Sequence, residues 1–263
     1  MAPLLISSPQ NPRIKHLMLL QQRSQQRRNE HRIVVEGARE LEHCKNAGFE
    51  IETVFYCPTL FDIDKLKGSY FEPVEVTPQV YEKIAYRGST EGVIAIVEPR
   101  FFSLKDLELG DNPLIVVLEG IEKPGNIGAV LRSADAAQAT AVVVCDPLTD
   151  LYNPNLIRSS LGAIFTVPCV ACSSIECIKF LKENNVKILT AQLQDSELYY
   201  NTPMLGATAI VMGTESTGLT QAWRDAATAH IRIPMRGELD SLNVSVSAAI
   251  LLFEAVRQRE CKG

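Results

Sequence analysis

No stretch of the 263 residues approaches the roughly 18 consecutive apolar residues that a bilayer crossing needs. Met1 to Ser8 is too short, and too soon interrupted by Pro9, to form the apolar core of a secretion signal. A cytoplasmic location is therefore expected. The cysteines number seven, and an odd count in a chain of this type favours free thiols. Cys169 and Cys172, with Cys177 nearby, have the look of metal ligands. No second such pair and no neighbouring histidine completes a four-ligand set, so no metal is expected. The histidines (16, 31, 43 and 230) are scattered, and His230 reads as structural. Gly-x-Gly-x-x-Gly is absent, as is the Gly-x-x-x-x-Gly-Lys-Ser/Thr phosphate loop. A nucleotide-dependent oxidoreductase thus lacks its phosphate-binding glycines and a ribose-binding acid in context. The net charge of −5 argues against a generally basic nucleic-acid binder.

Apolar residues make up 46 % of the chain and charged residues 22 %, enough to build a core. The length suits one large domain or two ordinary ones. Charge is unevenly spread. Residues 1–40 carry seven Lys/Arg against three acids, +4, which leaves −9 for the remainder. A basic end on an acidic chain can steer a polyanion to one face. The same residues would also serve as a solvated helix surface.

The hydrophobic pattern predicts an α/β chain. Ser7 to Arg28 reads as a helix that becomes wholly polar beyond Leu20. Alternating short strands and helices follow as far as Val97, including a strand at Arg32 to Val35 and a helix opened by Pro78. The loop Arg87-Gly-Ser-Thr-Glu-Gly suits a ligand or RNA. Glu98 to Pro113, with its prolines, Gly110 and mixed charges, reads as the boundary. The expected domains are residues 1–98 and 113–263, joined by a linker at 99–112. The second contains continuous apolar runs, Leu114 to Leu118 and Ala141 to Cys145, of the kind found in strands buried on both faces of a parallel sheet. Further strands are predicted at Ile164 to Val167, Val186 to Ala191, Ala207 to Met212 and Ile231 to Ile233, alternating with helices. Ligands of such sheets bind beyond the carboxyl ends of the strands.

Three loops occupy those ends. In the first, Gly125 and Gly128 flank Asn126, and Arg132 follows within two helical turns. A guanidinium there suits a phosphate or a developing alkoxide; pairing with Asp135 or Glu119 is the alternative. In the second, Gly213 comes straight after a strand, and Glu215 is either exposed or holds a neighbouring loop. The third runs from Ile231 through Pro234 into a helix starting near Asn243. That helix is apolar almost all round, yet it begins with Asn243, Ser245 and Ser247. Such a start fits a capped core helix or a ligand site.

These loops carry Pro124-Gly125-Asn126-x-Gly128-Ala129-x-x-Arg132, Met212-Gly213-x-Glu215-x-x-Gly218-Leu219 and Ile233-Pro234-Met235-x-Gly237-x-x-x-Ser241-Leu242-Asn243-Val244-Ser245-Val246-Ser247-x-Ala249. In order and spacing they resemble the SpoU (TrmH-type) RNA ribose 2′-O-methyltransferases of the SPOUT superfamily. The likeness covers Pro113 to Arg259, and Asn155 to Phe165 adds a further similar segment. Ser8 to Lys15 and Val35-Glu36-Gly37 resemble, more weakly, the ribosomal-protein-like RNA-binding domain that precedes the catalytic domain in many members. Thr214, Ser216 and Lys123 depart from the usual family residues.

The resemblance implies a parallel sheet threaded into a trefoil knot, S-adenosylmethionine as cofactor, and a homodimer acting on structured RNA, with ribosomal RNA favoured over transfer RNA. It implies catalytic-site roles for Arg132, Asn126, Glu215, Asn243 and Ser245, and backbone cofactor contacts at Gly213, Ile233 and Leu242. Arg13, Lys15, Arg23, Arg27, Arg28 and Arg158 are the candidate RNA contacts. A non-catalytic RNA-binding or ribosome-assembly factor on the same fold is the competing reading.

Overall fold

The structure is a computed structural model that describes residues 3–66, 68, 70–86 and 91–260. The predicted loop beginning at Arg87 lies largely outside the described residues. By its contacts the chain divides into two compact units, residues 1–100 with 152–166, and 101–151 with 167–263.

In the first unit, β1 (Leu4–Ile6) leads into α1 (Pro12–Gln22). Asn11 caps α1 by accepting from the Arg13 N–H, and Pro12 fills the first turn, where no N–H is needed. The single helix predicted from Ser7 to Arg28 is two helices. Arg23 is extended (φ −116°, ψ 107°), and α2 (Ser24–Glu30) starts a new axis. The polar run Gln21 to Glu30 has no apolar stripe to hold it in line with α1. Next come β2 (Ile33–Glu36), α3 (Ala38–Asn46), β3 (Ile51–Tyr56), β4 (Glu72–Val76), α4 (Pro78–Ile84) and β5 (Val93–Val97). The strands form one mixed sheet in the order β1-β4-β3-β5-β2, with β5 antiparallel to both neighbours. Ile14, Leu17 and Leu20, at helical spacing, pack with Phe55, Val74 and Ile94 in the core.

In the second unit, β6 (Leu114–Glu119), α5 (Pro124–Ala136) and β7 (Ala141–Cys145) match the predicted pattern. Between β7 and β8 (Cys169–Cys172) the chain makes α6 (Pro154–Ser159) and α7 (Ala163–Thr166), both of which pack within the first unit. The strand expected at Ile164 to Val167 is therefore wrong. Ala163, Ile164 and Phe165 are buried in a single helical turn. A four-residue apolar run has too few residues to separate a period of two from one of 3.6. The unit continues with α8 (Ser174–Glu183), β9 (Lys187–Ala191), β10 (Glu197–Leu198), β11 (Thr208–Met212), α9 (Gln221–Ala226), β12 (Ala229–Arg232) and α10 (Val244–Glu260).

All seven strands of this unit run parallel, in the order β10-β12-β9-β11-β6-β7-β8. β6, β7 and β11 are buried along their whole length, as the continuous apolar runs predict. The far end of α10 is tied down by Arg259, whose guanidinium donates to the carbonyls of Met204, Gly206, Asn112 and Pro113. No helix among the described residues is long and apolar enough to cross a membrane.

Candidate active site

Because the strands of the second unit are parallel, their carboxyl ends open on one edge, where loops can converge. A cavity of about 360 Å³ lies there, beyond β9, β11 and β12. This is within the ~300–1,000 Å³ range of small-molecule clefts. Gly213, Ile233 and Leu242 line it, as do Glu215, Met212 and Ser247. Gly213 admits no side chain. A Cβ there would lie 2.3 Å from the Gly218 carbonyl oxygen, because the loop closes back on itself through the Gly218 N–H to Thr214 carbonyl bond of 3.0 Å. Gly218 has φ +68°, the left-handed conformation that glycine adopts without steric cost.

One side-chain amide joins the three loops. Asn243 Nδ2 donates to Asn126 Oδ1 and to Glu215 Oε1, each at 3.2 Å. Its Oδ1 accepts from the Ser245 N–H at 3.0 Å and the Ser245 hydroxyl at 2.6 Å. Both donors and the acceptor of the amide are thus engaged. The bond from Ser245 also caps α10, so a helix cap and a loop tie share one residue. Lys123 Nζ lies 4.0 Å from Glu215 Oε2, which adds weak ion pairing at an exposed position. Asn126, Glu215, Asn243 and Ser245 therefore form one cluster.

Arg132 is exposed on α5 and makes no hydrogen bond or ion pair among the described residues. Glu119, one of its conceivable partners, is engaged elsewhere. This buried carboxylate accepts from the Thr220 N–H (2.8 Å), the Thr220 hydroxyl (2.7 Å) and the Ser174 hydroxyl (3.1 Å). It fastens the starts of α8 and α9 to the end of β6. His230 Nδ1 sits 2.6 Å from Thr190 Oγ1, in keeping with a structural role.

Two cavity residues escape a motif-based reading. Gln192, just after β9, and Arg224, on α9, line the cavity. Gln192 Oε1 and Arg224 Nε are buried there with no hydrogen-bond partner among the described residues. Buried polar atoms in this state call for a bound partner. Neither residue lies in a glycine-rich loop, so no sequence signal marked them.

Of the candidate RNA contacts, Arg13, Lys15, Arg23 and Arg28 are exposed on α1, α2 or their junction. Arg13 pairs with Glu72 at 2.7 Å. Arg158 donates to the Tyr86 carbonyl, stacks over the Tyr86 ring and lies 3.7 Å from Glu36 Oε1. Arg27 leaves the exposed set. It is 4 % exposed and donates to the carbonyls of Leu20 (2.6 Å) and Gln21 (3.2 Å). The break at Arg23 turns α2 so that Arg27 satisfies the last carbonyls of α1.

The profile of the SpoU rRNA methylase family matches residues 113–253. The chain belongs to the SpoU rRNA methylase family. An MRM3-like substrate binding domain matches residues 11–95. A 23S rRNA (guanosine-2′-O-)-methyltransferase, RlmB, of Salmonella typhi is 38 % identical over 175 residues, 64 % of this chain and 72 % of the relative. A crystal structure of an RNA 2′-O ribose methyltransferase superposes with a TM-score of 0.87 at 39 % identity, covering 97 % of this chain and 99 % of the other. An AdoMet-bound rRNA methyltransferase from Sinorhizobium meliloti gives 0.88 at 26 % identity, covering 98 % of each chain. As a SpoU methylase the chain is an RNA 2′-O-methyltransferase, and its cofactor is S-adenosylmethionine. The unpartnered Gln192 Oε1 and Arg224 Nε in a cavity of suitable size fit a polar, charged ligand of that kind.

Proposed function

We propose that the chain methylates a ribose 2′-hydroxyl of large-subunit ribosomal RNA, working as a cytoplasmic homodimer with a trefoil-knotted cofactor domain. The target is inferred from the 23S specificity in the RlmB relative's name and from the substrate-binding profile over residues 11–95. The dimer is supported by α10, which carries Val246 (47 % exposed) and Phe253 (48 % exposed) seven residues apart, while Val244, Ala248, Leu251, Leu252 and Ala255 are buried. An apolar pair at that spacing is costly to leave in water and suits a partner helix.

A ribose hydroxyl is a weak acid and needs help to attack an electrophilic methyl group. The bound cofactor supplies that methyl on a sulfonium. Residues 1–98 hold the RNA, with Arg13, Lys15, Arg23 and Arg28 offering cations to phosphates, joined by Arg158 of α6. Arg132 contributes a charge that no partner among the described residues consumes. It holds the target phosphate and offsets the negative charge growing on the 2′-oxygen. Asn126, Glu215, Asn243 and Ser245 fix the three loops relative to one another, and Gly213, Ile233 and Leu242 present backbone and surface to the cofactor. Fixed geometry of this kind removes much of the entropic cost of bringing the hydroxyl and the methyl together.

The observation that carries this reading is the Asn243 amide, which ties all three loops together beside the cavity. Arg132→Ala should lower single-turnover methylation of ribosomal RNA by about 10²–10³, the usual loss of an oxyanion stabiliser. Calorimetric binding of S-adenosylmethionine should be unchanged. Turnover near that of the unsubstituted enzyme would remove Arg132 from the mechanism. Loss of cofactor binding would make it a pocket residue instead.

A further inference from the structure

Three cysteines from separate segments meet in the second unit. Cys145 ends β7, Cys172 ends β8, and Cys177 lies in the first turn and a half of α8. Cys145 and Cys172 are directly paired across the parallel ladder. The three Sγ atoms all lie within 4.8 Å of one another. Cys169 belongs elsewhere. It is buried at the start of β8, where alternation along the strand separates it from Cys172, and burial pushes its thiol up to about 12. The ligand set suggested by Cys169-x-x-Cys172 is thus replaced by one that includes Cys145, 27 residues before Cys172 in the chain.

The geometry suits a metal ion. Metal–sulfur bonds of ~2.3 Å place three thiolates roughly 3.8–4.0 Å apart around one ion, so contractions of under about 1 Å, within rotamer adjustment, would close the site. Cys145 and Cys177 are buried, and Cys172 is half-buried and gives access from solvent. The surroundings favour a cation. Two carboxylates adjoin the ligand set in the chain, Asp146 after Cys145 and Glu176 before Cys177.

We propose that Cys145, Cys172 and Cys177 form a site for one thiophilic d10 ion, Zn²⁺ or Cu⁺, that clamps the ends of β7 and β8 to α8. Binding of Zn²⁺ to the three thiols breaks three S–H bonds, forms three metal–sulfur bonds and releases three protons to solvent. Water entering beside Cys172 completes the coordination. The site is separate from the Asn243 cluster and needs no part of the methyl-transfer chemistry.

The test uses the full chain, reduced and stripped with a chelator under anaerobic conditions. Addition of Co²⁺ as a spectroscopic stand-in for Zn²⁺ should give a thiolate charge-transfer band that saturates at one equivalent. Competition with a chromophoric chelator should show tight Zn²⁺ binding, and competition with bicinchoninate reads the Cu⁺ arm. Cys172→Ser should weaken the preferred ion by at least the ~10–100-fold that loss of an outer-shell partner costs. Cys44→Ala, which removes a buried thiol of the first unit, should leave binding unchanged. Absence of the band together with failure of both competitions overturns the proposal, as does Cys172→Ser binding as tightly as the unsubstituted chain. If Cys172→Ser does not fold, the unsubstituted chain decides the matter: one equivalent of ion should protect Cys172 from iodoacetamide, and unprotected alkylation counts against the site.

Discussion

In the first unit β5 runs antiparallel to both neighbours, so connections leave the sheet at both of its ends. In the second unit all seven strands run one way, and the loops that follow β6, β9, β11 and β12 emerge on a single edge. Only the second arrangement gathers loops from distant parts of the chain around one cavity. The first instead presents basic side chains along α1 and α2, where they need only be exposed. One unit is thus built for convergence and the other for display, and side chains of the same type have different uses in the two.

That contrast can be broken most severely at Gly213. Gly213→Ala places a methyl group 2.3 Å from a backbone oxygen that cannot rotate away, so the loop must move. Calorimetry should show S-adenosylmethionine binding weakened by more than about tenfold, equivalent to about 1.4 kcal/mol. Binding at full affinity would mean that this edge of the sheet is less tightly built than described. The arginines sharpen the contrast through stability and RNA binding in place of the cofactor. Arg27→Ala leaves buried carbonyls of α1 unsatisfied and should cost about 1–3 kcal/mol in thermal or denaturant unfolding of the chain. Arg28→Ala should alter stability by less than ~0.5 kcal/mol. It should instead weaken RNA binding and flatten the salt dependence by about one phosphate contact. Equal behaviour of the two variants would erase the distinction between a buried brace and a displayed charge.

The smallest effect concerns Glu254 on α10. The Arg257 guanidinium, helped by Gln258, holds this carboxyl below the usual carboxylate range against the opposing pull of burial. Its folded pKa is lowered, so its stabilisation is present above the ordinary carboxylate pKa and is lost as pH falls through the folded value. Glu254→Gln should therefore remove a contribution of under ~1 kcal/mol at neutral pH and flatten the acid limb of a stability-versus-pH curve. An unchanged acid limb would show that the ion pair has no role in stability.

The loops of the parallel sheet were legible in the sequence because glycines and polar residues interrupt apolar strands at fixed places. Asn126, Glu215 and Asn243 stand out for that reason. What could not be read depends on partners distant in sequence. Gln192 and Arg224 matter only because β9 and α9 bring them to the cavity. Arg27 looks like its exposed neighbours until the turn at Arg23 buries it. Cys145 joins Cys172 only through the register of β7 and β8. Ala163 to Phe165 failed differently, being too short for any period to be visible.

The Asn243 tie spans 117 residues to Asn126, and the Arg259 clamp reaches back 147 residues to Asn112. Contacts of such sequence separation form slowly and late. During synthesis, β6 and α5 leave the ribosome long before the segment that must lock onto them. The cavity at the sheet edge therefore has no third wall until residues 231–247 have emerged, and on the proposed function a partly made chain can present its basic helices to RNA before it is able to modify it.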